Sequence, residues 1–220
     1  MTIKHTTWFT GFLTVSMLHL AGQLAGQESL HLVTKPLLMP GLLAWFLTAT
    51  PTSRLRTLVA VGLAWSWLGD IGLMPSGEGW FLAGLGAFLI AQLTYAVAFL
   101  PFRGDSVLAR PALAVPYLAV LVGLLVVLWD HLGDLRWPVT VYALVIVGMA
   151  ILATGVNRMV AVGAVLFVVS DALIALGSVA GIVRLPAHGF WVMLTYLVAQ
   201  ALIAMGVATA VRGDALTGAR

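Results

Sequence analysis

The chain is 220 residues long, 61% of them hydrophobic and only 9% charged, with a mean hydropathy of +1.06. Soluble domains carry about 25% charged residues, so a water-covered globule is excluded and the apolar excess must face lipid. The 11 Lys and Arg against 8 Asp and Glu are too few and too scattered for a nucleic-acid surface, and with no cysteine there are no disulfides, thiolate nucleophiles, cysteine-held zinc or iron–sulfur clusters.

A membrane-crossing helix needs about 20 mostly apolar residues. Eight stretches qualify, which predicts an all-α polytopic bundle of eight spans forming a single integral membrane domain over residues 1–220. The first span, 8–25, carries Ser16, His19 and Gln23 on one helical face. A signal-peptide reading of it, from Lys4, the apolar run and the small residues Ala21, Gly22, Ala25 and Gly26, fits that polar stripe poorly. The second, 35–50, is the shortest and opens at Lys35; the third, 55–74, contains Asp70. The fourth, 79–100, holds Gln92 and Tyr95; the fifth, 109–129, is apolar; the sixth, 137–154, holds Tyr142. The seventh, 159–178, contains Asp171, and the eighth, 190–211, carries Tyr196 and Gln200 four apart on one face. The breaks between them, among them Thr50-Pro51-Thr52-Ser53, Pro75-Ser76-Gly77 and Gly133-Asp134, are turn chemistry, and no linker is long enough to separate domains.

Eight spans put both termini on one side. Lys4, Arg54, Arg56, Arg103, Arg110, Arg158, Arg212 and Arg220 fall on that side and only Lys35, Arg136 and Arg184 on the other, so both termini are expected in the cytoplasm, with the protein in a bacterial cytoplasmic membrane.

Asp70 and Asp171 are the two acidic residues inside expected spans. Each costs about 2.5–3.5 kcal/mol on insertion scales, which makes function the default reading and helix packing, satisfied by neighbours such as Ser66 or Ser178, the alternative. Their depths, about 22 and 18 Å from the cytoplasmic end, place them in one layer. His19, Gln23, Lys35, Tyr142 and Tyr196 fall in the outer half of their spans, so the polar layer is expected there. Taken singly, Lys35 also fits a snorkelling side chain, the tyrosines an interfacial belt, and His19, Gln92 with Tyr95, or Tyr196 with Gln200 a packing hydrogen bond. No G-x-S-x-G, H-E-x-x-H, Walker-type or G-x-G-x-x-G motif occurs. The aspartates with His19 or Glu78 leave a carboxylate-bound metal open, without diagnostic spacing; no metal or cofactor is expected.

Leu68-Gly69-Asp70-Ile71-Gly72-Leu73-Met74, followed by Phe81, Gly84, Gly86, Phe88 and Tyr95, resembles the YhhN family of eight-span membrane proteins, whose animal members include lysoplasmalogenases. Thr34-Lys35-Pro36-Leu37, the run Gly163 to Asp171, and Thr195-Tyr196 through Gln200 resemble further motifs of that family. Gln92 departs from it, standing where the family often has histidine ahead of the tyrosine. The resemblance implies hydrolysis of the vinyl-ether bond of a lysoplasmalogen to a fatty aldehyde and a glycerophospho-base. It makes Asp70 and Asp171 an acid/base pair and Lys35, Tyr142, Tyr196, His19 and Gln200 substrate-binding residues. The implied partners are a lysolipid substrate and membrane lipids, with no protein partner. A proton-coupled transporter and a non-catalytic lipid-binding protein are the alternatives from other classes.

Overall fold

The computed structural model describes residues 2–217, without the side chains of residues 2–5, 214, 216 and 217. Arg220 and the side chain of Lys4, both used above to orient the chain, lie outside the described residues. Among the described residues there is no strand. The helices are α1 (Thr2–Leu24), α2 (Glu28–Ala49), α3 (Arg54–Gly72), α4 (Glu78–Phe99), α5 (Pro111–Leu128), α6 (Arg136–Ala153), α7 (Arg158–Leu173) and α8 (His188–Thr217). A π-helical segment, Ile174–Val179, prolongs α7.

Short connections fold consecutive helices back on one another, giving the pairs α1–α2, α2–α3, α3–α4 and α7–α8, with α4 also packed on α6. Helix α8 touches α1, α2, α3 and α7, and its Ala199, Ile203, Ala204, Val207 and Ala208 are fully buried. Helix α5 sits at the rim, burying only Ala114, Leu121 and Leu128.

Six of these helices, some with their flanking turns, combine the length and apolar composition of a membrane span; α1 and α3 do not. The reason is in their residues. Helix α3 carries Arg54, Arg56 and Asp70 within 19 residues, and α1 is diluted by threonines and by Ser16, His19 and Gln23. The outside of the bundle is apolar, with Met17, Val122, Val126 and Leu144 exposed. Exposed Trp80, Trp129, Trp137 and Trp191 mark the end where α4, α6 and α8 begin and α5 finishes, the position of an interfacial aromatic belt.

Two close approaches decide where the aspartates sit. A Cβ on Gly72 would lie 2.7 Å from the Gly84 Cα, so only small residues let α3 and α4 cross beside Asp70. A Cβ on Gly163 would meet the Ala199 carbonyl at 2.8 Å, which sets the crossing of α7 and α8. Asn157 caps α7 by accepting from the Val160 N–H and also donates to the Gly206 carbonyl of α8 at 2.8 Å.

Helix α2 corrects one expectation. It begins at Glu28, not near Lys35, so Lys35 lies about two turns inside a helix and is buried rather than placed at the headgroups. Pro36 and Pro40 stand within it. Because Pro40 has no N–H, the Pro36 carbonyl one turn earlier is left without its helical partner, and the Trp67 indole of α3 donates to it at 2.9 Å.

Overpacking a close helix crossing costs about 1–3 kcal/mol. Gly163→Leu is therefore expected to lower the unfolding temperature in detergent by several degrees, whereas Leu118→Ala on the exposed face of α5 leaves it unchanged. An unaltered unfolding temperature in Gly163→Leu contradicts the tight α7–α8 crossing.

Candidate active site

Asp70 comes from the C-terminal end of α3 and is nearly inaccessible, 3% exposed. Tyr196, reaching in from α8, donates its hydroxyl to Asp70 Oδ2 at 2.8 Å. The tyrosine ring is fixed edge-on by Phe88 and Phe167, whose centroids lie 5.9 and 5.4 Å from its own. Gln200, one turn further along α8, accepts from the Tyr95 hydroxyl at 2.9 Å and turns its amide nitrogen toward the Tyr196 oxygen at 3.5 Å. The row Tyr95, Gln200, Tyr196, Asp70 thus crosses from α4 through α8 to α3, every member buried.

Asp171, near the C-terminal end of α7, has its own tyrosine: the Tyr142 hydroxyl of α6 donates to Asp171 Oδ2. Asp171 is only half-buried, because it borders a narrow cleft between α4, α5, α6 and α7 whose lining is otherwise apolar except for Tyr142. The π-helical segment forms part of that wall through Ile174, Ala175 and Val179. Widened turns of this kind often occur at functional sites. Here the carbonyl of Leu173 accepts from His188 Nε2 at 3.0 Å, and that of Gly177 from Arg184 Nε at 3.2 Å.

The two carboxylates interact electrostatically across the bundle, and Lys35 is the cation facing Asp70. Beyond Lys35 the C-terminal part of α1 and the N-terminal part of α2 bring His19 and His31 together, ring centroids 4.9 Å apart. Thr34 spends its hydroxyl proton on the Leu30 carbonyl at 2.6 Å, so the 2.8 Å contact with His19 Nδ1 is a donation by the imidazole. Neutral His19 then presents Nε2, which is buried and has no hydrogen-bond partner among the described residues, as an acceptor.

The structure brings Asp70, Tyr196, Gln200 and Tyr95 into one hydrogen-bonded row and pairs Asp171 with Tyr142, whereas His19 stands apart beside Lys35, Gln23 lies against Gly189 at the start of α8, and Glu78 lines a separate pocket. Ser66 and Ser178, considered above as partners for the carboxylates, are not: tyrosines fill that role. From the sequence, His31 carried no assigned role and Thr34 counted only as part of a motif; the available signal was that His31 stands three residues before Thr34 and four before Lys35, on one helical face. Gln92 is fully buried on the Tyr142 side, with both amide atoms lacking a partner of ordinary hydrogen-bond length among the described residues. No three His, Asp or Glu side chains among the described residues converge closely enough to form a metal-ligand set.

The YhhN family model matches residues 30–207, from the first turn of α2 into the body of α8. Proteins named lysoplasmalogenase in Mycobacterium bovis (strain ATCC BAA-935 / AF2122/97) and Mycobacterium tuberculosis (strain CDC 1551 / Oshkosh) are each 36% identical over 206 residues, covering 89% of this chain and 77% of theirs. No solved structure matches significantly. The matched stretch contains both aspartates, both tyrosines that hold them, Lys35 and Gln200, and on that footing the chain belongs to the YhhN family.

Proposed function

We propose that this protein is a membrane hydrolase that opens the vinyl-ether bond of a lysoplasmalogen, releasing a fatty aldehyde and a glycerophospho-base. The observation that carries the reading is the pair of tyrosine-held carboxylates within the bundle, one of which, Asp171, borders an apolar cleft while the other, Asp70, is enclosed. The name borne by the mycobacterial relatives supports the same substrate class.

A vinyl ether hydrolyses when a proton is delivered to its alkenyl carbon. The resulting oxocarbenium-like cation is captured by water, and the hemiacetal then collapses. An acid, a base and a water are required, and no cofactor. Two carboxylates in unlike surroundings divide such roles in glycosidases, which pass through a similar cation. Asp70 is enclosed and faces Lys35, while Asp171 opens onto the cleft. In this reading Tyr196 and Tyr142 orient the carboxylates and the ether oxygen, Gln200 holds Tyr196, and Lys35 and His19 receive the polar headgroup. The apolar cleft receives an aliphatic chain, and the surrounding bilayer supplies the lipid.

The same reading takes all eight helices as spans of a single domain, with α1 and α3 carried by their neighbours rather than by their own composition. Both termini lie in the cytoplasm of a bacterial cell. A reporter fused after Arg220 should therefore be active on the cytoplasmic side only; activity confined to the far side reverses the topology.

Purified protein in detergent should release aldehyde from a lysoplasmalogen. Asp70→Asn and Asp171→Asn should each reduce kcat by about a hundredfold or more, the usual contribution of a positioned acid or base. Their unfolding temperatures should match the parent, since the amide keeps the shape and lowers the cost of burial. Near-normal aldehyde release by either variant removes that residue from the chemistry. Tyr196→Phe should fall between parent and Asp70→Asn, because it removes a donor without removing the carboxylate.

A further inference from the structure

The site has two unlike ends, and their order along the bundle is informative. At one end lies the cleft, whose lining includes Asp171 and Tyr142 but neither Asp70 nor Tyr196. At the other end lie Lys35, facing Asp70, and behind it His19 and His31. Passing from the cleft one meets Asp171, then Asp70, then the cation, then the imidazoles.

A lysoplasmalogen has the same polarity: aliphatic chain, double bond, ether oxygen, glycerol with a free hydroxyl, phosphate. Both ends are matched in one orientation alone. The chain fills the apolar cleft, which is walled mainly by leucines, valines and isoleucines, as lipid-chain sites are. The phosphate lies toward Lys35, and the free hydroxyl can donate to the bare Nε2 of His19. Reversing the lipid would bury the phosphate among leucines and valines, where a charge without partners costs far more than a bundle of this kind can supply.

Resting on the vinyl-ether reading, we infer that the substrate's chain occupies the cleft between α4 and α7, so that Asp171 is the proton donor and Asp70 the base. The proton must go to the chain-side carbon of the double bond, because only then does the cation form on the carbon that shares electrons with the ether oxygen. That carbon is the one adjoining the cleft, and Asp171 is the carboxyl group there. The carboxyl hydrogen of Asp171 bonds to it with the double bond's π electrons, leaving Asp171 ionised and an oxocarbenium ion. Water bonds to the ether carbon and gives its proton to Asp70. The hemiacetal hydroxyl then returns a proton to Asp171 as the carbonyl forms, the bond to the glycerol oxygen breaks, and that oxygen takes the proton from Asp70. Both carboxyl groups end as they began, and one water has been consumed.

The roles separate in heavy water. In Asp70→Asn the donor survives but capture of the cation fails, so protonation reverses. Unreacted lysoplasmalogen recovered from this variant should gain deuterium at the chain-side alkenyl carbon while little aldehyde forms. Substrate recovered from Asp171→Asn should stay unlabelled. Label in the Asp171→Asn sample, or in neither, overturns the assignment. The cleft is tested separately by Ala143→Phe and the milder Ala175→Leu, both at its wall. Whichever of them retains the parent's unfolding temperature should lose about tenfold in its preference for a hexadecenyl over a butenyl substrate, the value of some two buried methylenes. An unchanged preference in the folded variants places the chain elsewhere. Should the parent protein release no aldehyde from any vinyl-ether lysolipid, the underlying reading falls rather than the assignment of roles.

Discussion

A carboxylate buried in a bundle that lies in lipid is tolerable only where a donor meets it, and for Asp70 that donor is the hydroxyl of Tyr196, 126 residues further along the chain. Insertion costs of about 2.5–3.5 kcal/mol per aspartate have to be offset by such contacts, and much of the architecture follows from making this one. Helix α8 has to run through the middle of the bundle to bring Tyr196 to α3. Helix α3 has to be walled in by α2, α4 and α8, and it is the glycines at its C-terminal end that let α4 approach closely enough. Phe88 and Phe167 hold the tyrosine ring, and Gln200 and Tyr95 continue the hydrogen bonding toward the opposite end. A helix with three charged residues can then occupy a position that its own composition would not secure.

The second aspartate uses the same device in a different setting. Tyr142 meets Asp171 from α6, but the cleft keeps the carboxyl group reachable, and the π-helical end of α7 shapes that opening. Enclosure of one carboxylate and exposure of the other to an apolar channel is the asymmetry that acid/base chemistry requires. It arises from packing rather than from any difference between the two residues themselves.

Rarity made the aspartates legible in the sequence: in a chain with 9% charged residues, an acidic group within an apolar run stands out whatever the fold. Helix positions were legible for the same reason, since turn residues interrupt continuous hydrophobicity. The pairing of each aspartate with a tyrosine was not. A tyrosine near a helix end fits an interfacial belt equally well, and nothing local links Asp70 to Tyr196 or Tyr142 to Asp171. Lys35 was placed too near the surface because the second apolar run opens there, whereas α2 begins at Glu28 and the Trp67 indole takes up the carbonyl left free within it. The cleft left no trace at all. Helix α5 is apolar nearly all round, and so is α7 between Arg158 and Ser170, so the face that lines a cavity has the same composition as the face that meets lipid or protein. His31 and Thr34 carried too little chemistry singly to be assigned a role of their own until α1 brought His19 against them.

Proton transfer to carbon is what separates a hydrolase from a binder or carrier built on the same helices, and it leaves a mark in the product. Turnover of a lysoplasmalogen by the purified protein in heavy water, with the aldehyde trapped promptly before enolisation can exchange it, should give one deuterium at the carbon next to the carbonyl. Mass spectrometry of the trapped aldehyde reads it directly. An unlabelled aldehyde, under conditions where exchange is shown to be slow, would mean that water is added without protonation at carbon and would contradict the two-carboxylate account.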